Sequence, residues 1–121
     1  MTPETLWTRY AAIWSLEGAA REPELVACLA DDFTYCDPNG LLAGRSGLSA
    51  YMAQFRESVP GGRFHIVTLL HHHDRSLAEW QLQGRDGAIL QRGTSFGALS
   101  EDGRLRAISG FFRPKADEAA S

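Results

Sequence analysis

Lysine is almost missing from this chain. Among 121 residues Lys and Arg together number 12, the one lysine is Lys115, and the remaining arginines are scattered without a basic run. Fifteen acidic residues bring the formal net charge to −3. Phosphate backbones and anionic membrane surfaces are held by clustered Lys and Arg, so neither nucleic acid nor a membrane is an expected partner. Cysteine is scarce too. Cys28 and Cys36 stand alone with no CxxC pair, which excludes a disulfide scaffold and a thiolate metal motif. Uninterrupted apolar runs, Ile66-Val67 and Leu69-Leu70 among them, fall far short of the roughly 20 residues that span a bilayer. The start, Met1-Thr2-Pro3-Glu4, lacks the charged and apolar regions of an export signal. The expected setting is therefore cytoplasmic, with two free, packed thiols. There is no GxGxxG, no P-loop and no GxSxG elbow, so no nucleotide cofactor and no hydrolase nucleophile is implied.

What is present is a globular composition, 44% hydrophobic and 22% charged, long enough for one domain over 1–121. Thr2-Pro3-Glu4 reads as a capped helix start, followed by Leu6, Trp7, Tyr10, Ile13 and Trp14 at helical spacing. Gly18 is its expected stop. Glu22-Pro23-Glu24 opens a second helix that buries Leu25, Val26 and Leu29. Phe33-Thr34-Tyr35-Cys36 is a short strand running into the turn Asp37-Pro38-Asn39-Gly40. Ser46 is placed to cap a third helix carrying Leu48, Tyr51, Met52 and Phe55. Four strands follow, over 64–72, 76–83, 88–99 and 104–112, joined by short turns that make them antiparallel neighbours. Pro114 ends the last strand, and 115–121 reads as a frayed tail. The fold class is α+β: three N-terminal helices packed on a curved antiparallel sheet, a cone with an apolar cavity at its open end.

Strand alternation selects the candidate lining. If Asp37 points inward, so do Phe33 and Tyr35. Trp80 lies on the apolar side of its strand, Thr94 and Phe96 share a side of the next, and Ile108 and Phe112 share a side of the last. Tyr10 and Trp14 join from the first helix and Phe55 from the third. One carboxylate among many aromatic rings suits proton transfer beside a carbonyl, with a tyrosine hydroxyl steadying the developing oxyanion. The same tetrapeptide is also an ordinary turn in which Asp37 caps its own backbone.

The segment Leu29-Ala30-Asp31-Asp32-Phe33-Thr34-Tyr35-Cys36-Asp37-Pro38-Asn39-Gly40, followed by Gly44-Arg45-Ser46-Gly47, resembles the NTF2-like superfamily. Its closest flavour is the SnoaL-like polyketide cyclases and the ketosteroid isomerases. The resemblance implies that Asp37 is the general base and Tyr10, in the pair Arg9-Tyr10, the oxyanion donor. A second acid of the ketosteroid isomerases is matched here by Thr94. The activity so implied is cofactor-independent isomerase or cyclase chemistry on a small hydrophobic carbonyl compound. The alternative is a non-catalytic NTF2-like module holding an apolar ligand or a protein partner.

His71-His72-His73 invites a metal reading. Adjacent strand residues face opposite ways, however, so only His71 and His73, with His65 on the same parity, can converge. The run abuts the exposed turn Asp74-Arg75, so these are expected to be surface histidines with no metal. Apolar residues on both faces of several strands, as in Phe64, Ile66, Val67, Leu69 and Leu70, predict a homodimer through the outer sheet face.

Overall fold

The computed structural model describes residues 1–113, so the proline stop and the frayed tail expected over 114–121 lie outside the described residues. Helix α1 spans Pro3–Ile13; Thr2 accepts the Thr5 N–H on its hydroxyl at 3.1 Å, and Pro3 fills the first turn, where no donor is needed. Helix α2 spans Gly18–Cys28. It starts earlier than the Glu-Pro-Glu signature suggests. Gly18 opens it rather than stopping α1, and Pro23 lies inside it. The two helices are joined by a tight turn in which Ser15 and Leu16 donate back to Ala12 and Ile13.

Arg21 explains why α2 begins there. Its residue is 4% exposed, yet no carboxylate faces it. The guanidinium donates to the Ser49 carbonyl at 2.6 Å, the Ser49 hydroxyl at 3.1 Å and the Leu16 carbonyl at 3.2 Å. It thereby fastens the α1–α2 turn and α2 to the third helix.

Strand β1, Leu29–Asp37, turns into β2, Gly40–Ala43, a short strand that the turn composition of Asp37-Pro38-Asn39-Gly40 conceals. Gly44, with φ of +79°, leads directly into α3, Gly44–Ser58, so Ser46 is inside the helix and not its cap. Then come β3 (Arg63–His72), β4 (Arg75–Gln83), β5 (Ile89–Leu99) and β6 (Leu105–Phe111). The strand order is β2-β1-β6-β5-β4-β3. All neighbours are antiparallel except β1 and β6, which run parallel with Tyr35 beside Ile108. The sheet is therefore mixed rather than wholly antiparallel, and the α+β class stands. The core beneath the helices gathers Leu6, Ile13, Leu25, Leu29, Phe33 and Leu105. No described helix is long and apolar enough to cross a membrane.

Two details of register decide which side chains face the helices. In β3, Ile66 pairs with Trp80 and Thr68 with Glu79, so Val67 is passed over and the alternation slips by one. Phe64 and Ile66 face inward before this bulge; His71 does so after it, opposite Ser76. In β5 the inward row is Gln91, Gly93, Ser95 and Gly97, set by pairing with Leu82, Trp80, Ala78 and Ser76. The opposite row carries Arg92, Thr94 and Phe96. Bulk explains the choice. A Cβ on Gly93 would lie 2.2 Å from the Trp80 ring, and one on Gly97 would lie 2.5 Å from the Trp7 ring.

Candidate active site

A cavity of about 250 Å³ opens between α1, α3 and the inner face of the sheet. Nine of the chain's twelve Trp, Tyr and Phe side chains line it, including every Trp and every Tyr. Trp14 is the hub. Its ring meets those of Tyr51, Phe55 and Phe64 edge-on, with centroids 5.5–5.9 Å apart. Trp80 continues the wall, 5.2 Å from Phe64 and 5.9 Å from Phe112. Aromatic packing of this kind holds its shape through ring quadrupoles as well as burial.

Asp37 is the one charged side chain in this lining. It ends β1, two residues after Tyr35 and hence on the same face. The Tyr35 hydroxyl donates to Oδ2 at 2.6 Å. The Tyr51 hydroxyl, from α3, donates to Oδ1 at 2.8 Å and lies 3.0 Å from Oδ2. The Asn39 N–H also reaches Oδ1, at 2.8 Å. Asp37 thus lines the cavity and caps its own turn at once, and the two readings drawn from the tetrapeptide do not compete. Gly40 belongs to the same arrangement, because a Cβ there would stand 3.3 Å from the Tyr51 ring.

Tyr10 projects from α1 into the same lining and is buried. Its neighbour Arg9 points away and grips Glu24 of α2 at 2.5 and 3.1 Å. Burial pushes the Tyr10 phenol well above its ordinary value, the nearby Asp37 charge adds to this, and a hydrogen bond from Trp14 works against it. Tyr35 and Tyr51 are raised for the same leading reason, desolvation, with Asp37 adding to both. All three phenols accordingly keep their protons at neutral pH and remain donors.

That shift makes a prediction for alkaline solution. In the unfolded chain a phenol titrates near pH 10. A pKa raised in the folded state stabilises fully below that value, and the contribution is lost as pH climbs above it. Every tyrosine of the protein is in this class, so phenolate absorbance is expected to stay flat past pH 10. It should then rise in one step together with loss of the circular dichroism signal. A gradual phenolate titration near pH 10 in the folded protein would contradict the burial assigned here.

The expected lining residues divide by register. Tyr10, Trp14, Tyr35, Asp37, Phe55, Trp80 and Phe112 line the cavity. Phe33 and Ile108 face inward but one step back along their strands, sealed in the core at 1% and 2% exposure. Thr94 and Phe96 lie on the outer face, because the small residues Gly93, Ser95 and Gly97 take the inner positions against Trp80 and Trp7. Thr94 therefore cannot stand where a second acid would meet the substrate; its inward neighbour Ser95 does line the cavity, with Gln54, Ser58 and Gln91 as further polar groups. Tyr51 escaped the sequence reading as a site residue because its spacing matched the buried stripe of α3. The available signal was its phenol, since a buried tyrosine hydroxyl needs a partner. Ser95 left no such mark.

The histidines do not converge. The bulge turns His65 outward and His71 inward, where His71 Nδ1 lies 2.7 Å from the Ser76 hydroxyl. His73, with φ of +52°, is in the turn beside His72, their Nδ1 atoms 3.1 Å apart. Cys28 is buried and Cys36 half-buried, both free.

The family model described as the SnoaL-like domain matches residues 7–108. No curated protein sequence gives a significant match. Among solved structures, a candidate isomerase of the SnoaL-like family from Agrobacterium tumefaciens is similar, with a TM-score of 0.84 at 27% identity over 91% of this chain and 96% of that one. A candidate polyketide cyclase from Sinorhizobium meliloti gives 0.70 at 14% identity, over 88% and 93%. A protein with a ketosteroid isomerase-like fold from Catenulispora acidiphila, in complex with trimethylamine, gives 0.72 at 18% identity, over 91% and 85%. The last two share the fold, the NTF2-like cone, with this chain.

Proposed function

From a chain that belongs to the SnoaL-like domain family, we propose an enzyme that moves a proton on a small hydrophobic carbonyl compound without a cofactor, in the manner of an isomerase or cyclase. The observation carrying this reading is the placement of Asp37, a carboxylate on the wall of an aromatic cavity with both oxygens aligned by phenols. Asp37 accepts the proton from the carbon next to the carbonyl. Tyr10 donates its hydroxyl proton in a hydrogen bond to the oxygen, on which negative charge develops. Return of the proton from Asp37 to another carbon completes an isomerisation, with no net gain or loss of atoms.

The same lining narrows the substrate. It contains no Lys, Arg or His to set against Asp37, so an anionic substrate is disfavoured by like charge in a low-dielectric space. At about 250 Å³ the cavity falls just under the usual range for drug-sized ligands, which points to a compact ketone. The test is hydrogen–deuterium exchange at the α-carbon of acetophenone and cyclohexenone, followed by NMR. Exchange faster than in buffer supports the reading, and exchange at the buffer rate for both defeats it.

The reading includes a homodimer through the outer sheet face. Leu70, Leu77 and Phe96 are direct cross-strand neighbours there, 60%, 40% and 40% exposed. A contiguous apolar row on an exposed sheet is a surface that association would cover. Light scattering is expected to return twice the chain mass, and Leu77→Lys to return the chain mass alone. A wild-type protein with the mass of one chain at micromolar concentration would remove the dimer. The cytoplasmic setting is kept, since a reducing compartment suits the two free thiols.

A further inference from the structure

Ser95 lies midway along β5, facing inward between Ala78 on one side and Gly110 on the other. It lines the cavity and is 9% exposed. The Trp80 indole N–H donates to its Oγ at 3.0 Å. A serine hydroxyl has one proton and two lone pairs. With the indole on one lone pair, the Ser95 proton is free to point elsewhere, and no acceptor among the described residues takes it.

Beside it, Gly110 differs in kind from Gly93 and Gly97. A Cβ at Gly110 would meet the Asp37 Cβ at 3.4 Å, the Ser95 Oγ at 3.6 Å and the Cys36 carbonyl oxygen at 3.8 Å. These are ordinary contacts, and the backbone there is not left-handed. Neither packing nor conformation demands glycine. The missing methyl leaves a recess on the cavity wall with Asp37 on one flank and a hydroxyl donor on the other.

We propose that Ser95 donates its hydroxyl hydrogen bond to the carbonyl oxygen of the substrate, seated in the Gly110 recess, and that Trp80 is the positioning residue that aims it. This rests on the reading of the substrate as a carbonyl compound and adds the group that orients it. A carbonyl oxygen only accepts, so it matches a hydroxyl whose oxygen is already engaged. Held there, the oxygen brings its α-carbon to the Asp37 side of the cavity. Ser95 thus supplies, as a neutral donor, what the outward Thr94 cannot.

The probe is acetophenone, with affinity read from tryptophan fluorescence and hydrogen bonding from its infrared carbonyl band. In the wild type we expect saturable binding and a band shifted to lower frequency than in an apolar solvent. In Ser95→Ala the shift should shrink to what the Tyr10 hydroxyl alone supplies and Kd rise about tenfold, the weight of one hydrogen bond. Gly110→Ala should fold as the wild type does and bind at least about tenfold more weakly, because its methyl occupies the recess. Trp80→Phe keeps the hydroxyl without its aim, so the band should broaden and move only part of the way. An unchanged band in Ser95→Ala, wild-type affinity in Gly110→Ala, or no saturable binding by the wild type would each overturn the proposal. Proton exchange separates it from the catalytic reading. If Asp37→Asn exchanges as fast as the wild type while the band still depends on Ser95, the base is lost and the donor stands. If exchange needs Asp37 and the band ignores Ser95, the reverse holds.

Discussion

Asp37→Asn is expected to slow α-proton exchange on a bound ketone by about two to four orders of magnitude, the contribution of a positioned general base. The amide keeps the shape of the carboxylate and one acceptor oxygen. That oxygen can serve one of the phenols of Tyr35 and Tyr51, but the other then faces an NH2 group, which donates and does not accept. One buried donor is left without a partner, at a cost of about 1–3 kcal/mol. The variant should therefore melt lower as well as exchange slower, and the two effects are separable by measuring exchange well below the melting transition. A purely structural Asp37, serving only the Asn39 N–H and the two phenols, predicts the lower melting temperature with no change in exchange. That outcome would leave an apolar binding module in place of an enzyme.

Gly93→Ala is the largest stability effect anticipated, about 3 kcal/mol, which for a chain of this size is roughly 10 °C in melting temperature. The added methyl would have to occupy a point 2.2 Å from Cζ2 of Trp80. Trp80 has little room to yield, because its indole N–H is bonded to Ser95 and its ring stands edge-to-face with Phe64 and Phe112. Gly18→Ala is the matched comparison, since nothing lies within 4 Å of its Cβ position. Thermal melts of the two variants should differ by nearly the whole amount. Equal melting temperatures would mean that Trp80 is not packed as described.

Much of this architecture is legible in the amino acids because it rests on local periodicity. The aromatic stripe of α1, the stripe of α3 and the turn-punctuated run from β3 to β6 each have the repeat of the element they form. The acid of the Asp-Pro-Asn-Gly turn is legible for the same reason, being two residues from Tyr35 on one strand. What local pattern does not carry is register. Leu90, Thr94, Phe96 and Ala98 form the more apolar row of β5, and hydropathy alone assigns them inward. The tryptophans of α1 and β4 reverse that assignment, since only glycine or a small residue fits beneath them. The bulge at Val67 is equally silent, because both rows of β3 are apolar and a slip of one residue changes no average. Gly18 and Pro23 misled for a related reason. Each is a punctuation mark in most helices, and here Arg21 anchors a helix that contains both.

The parallel pairing of β1 with β6 bears on the order in which the molecule assembles. From β3 onward each strand finds its neighbour across a short turn, and β2 lies one turn from β1. β1 meets its other neighbour only after the chain has been made to Leu105 and beyond, with α3 and four strands held in the intervening loop. Closing so long a loop costs entropy before any contact repays it, and pairings distant in sequence are the slow ones. Asp37 and Tyr35 belong to this late strand, whereas Trp80, Ser95 and Gly110 belong to the meander that forms from neighbours. The two halves of the cavity thus come from early and late parts of the same folding reaction. On a ribosome, the acid waits for the last strand.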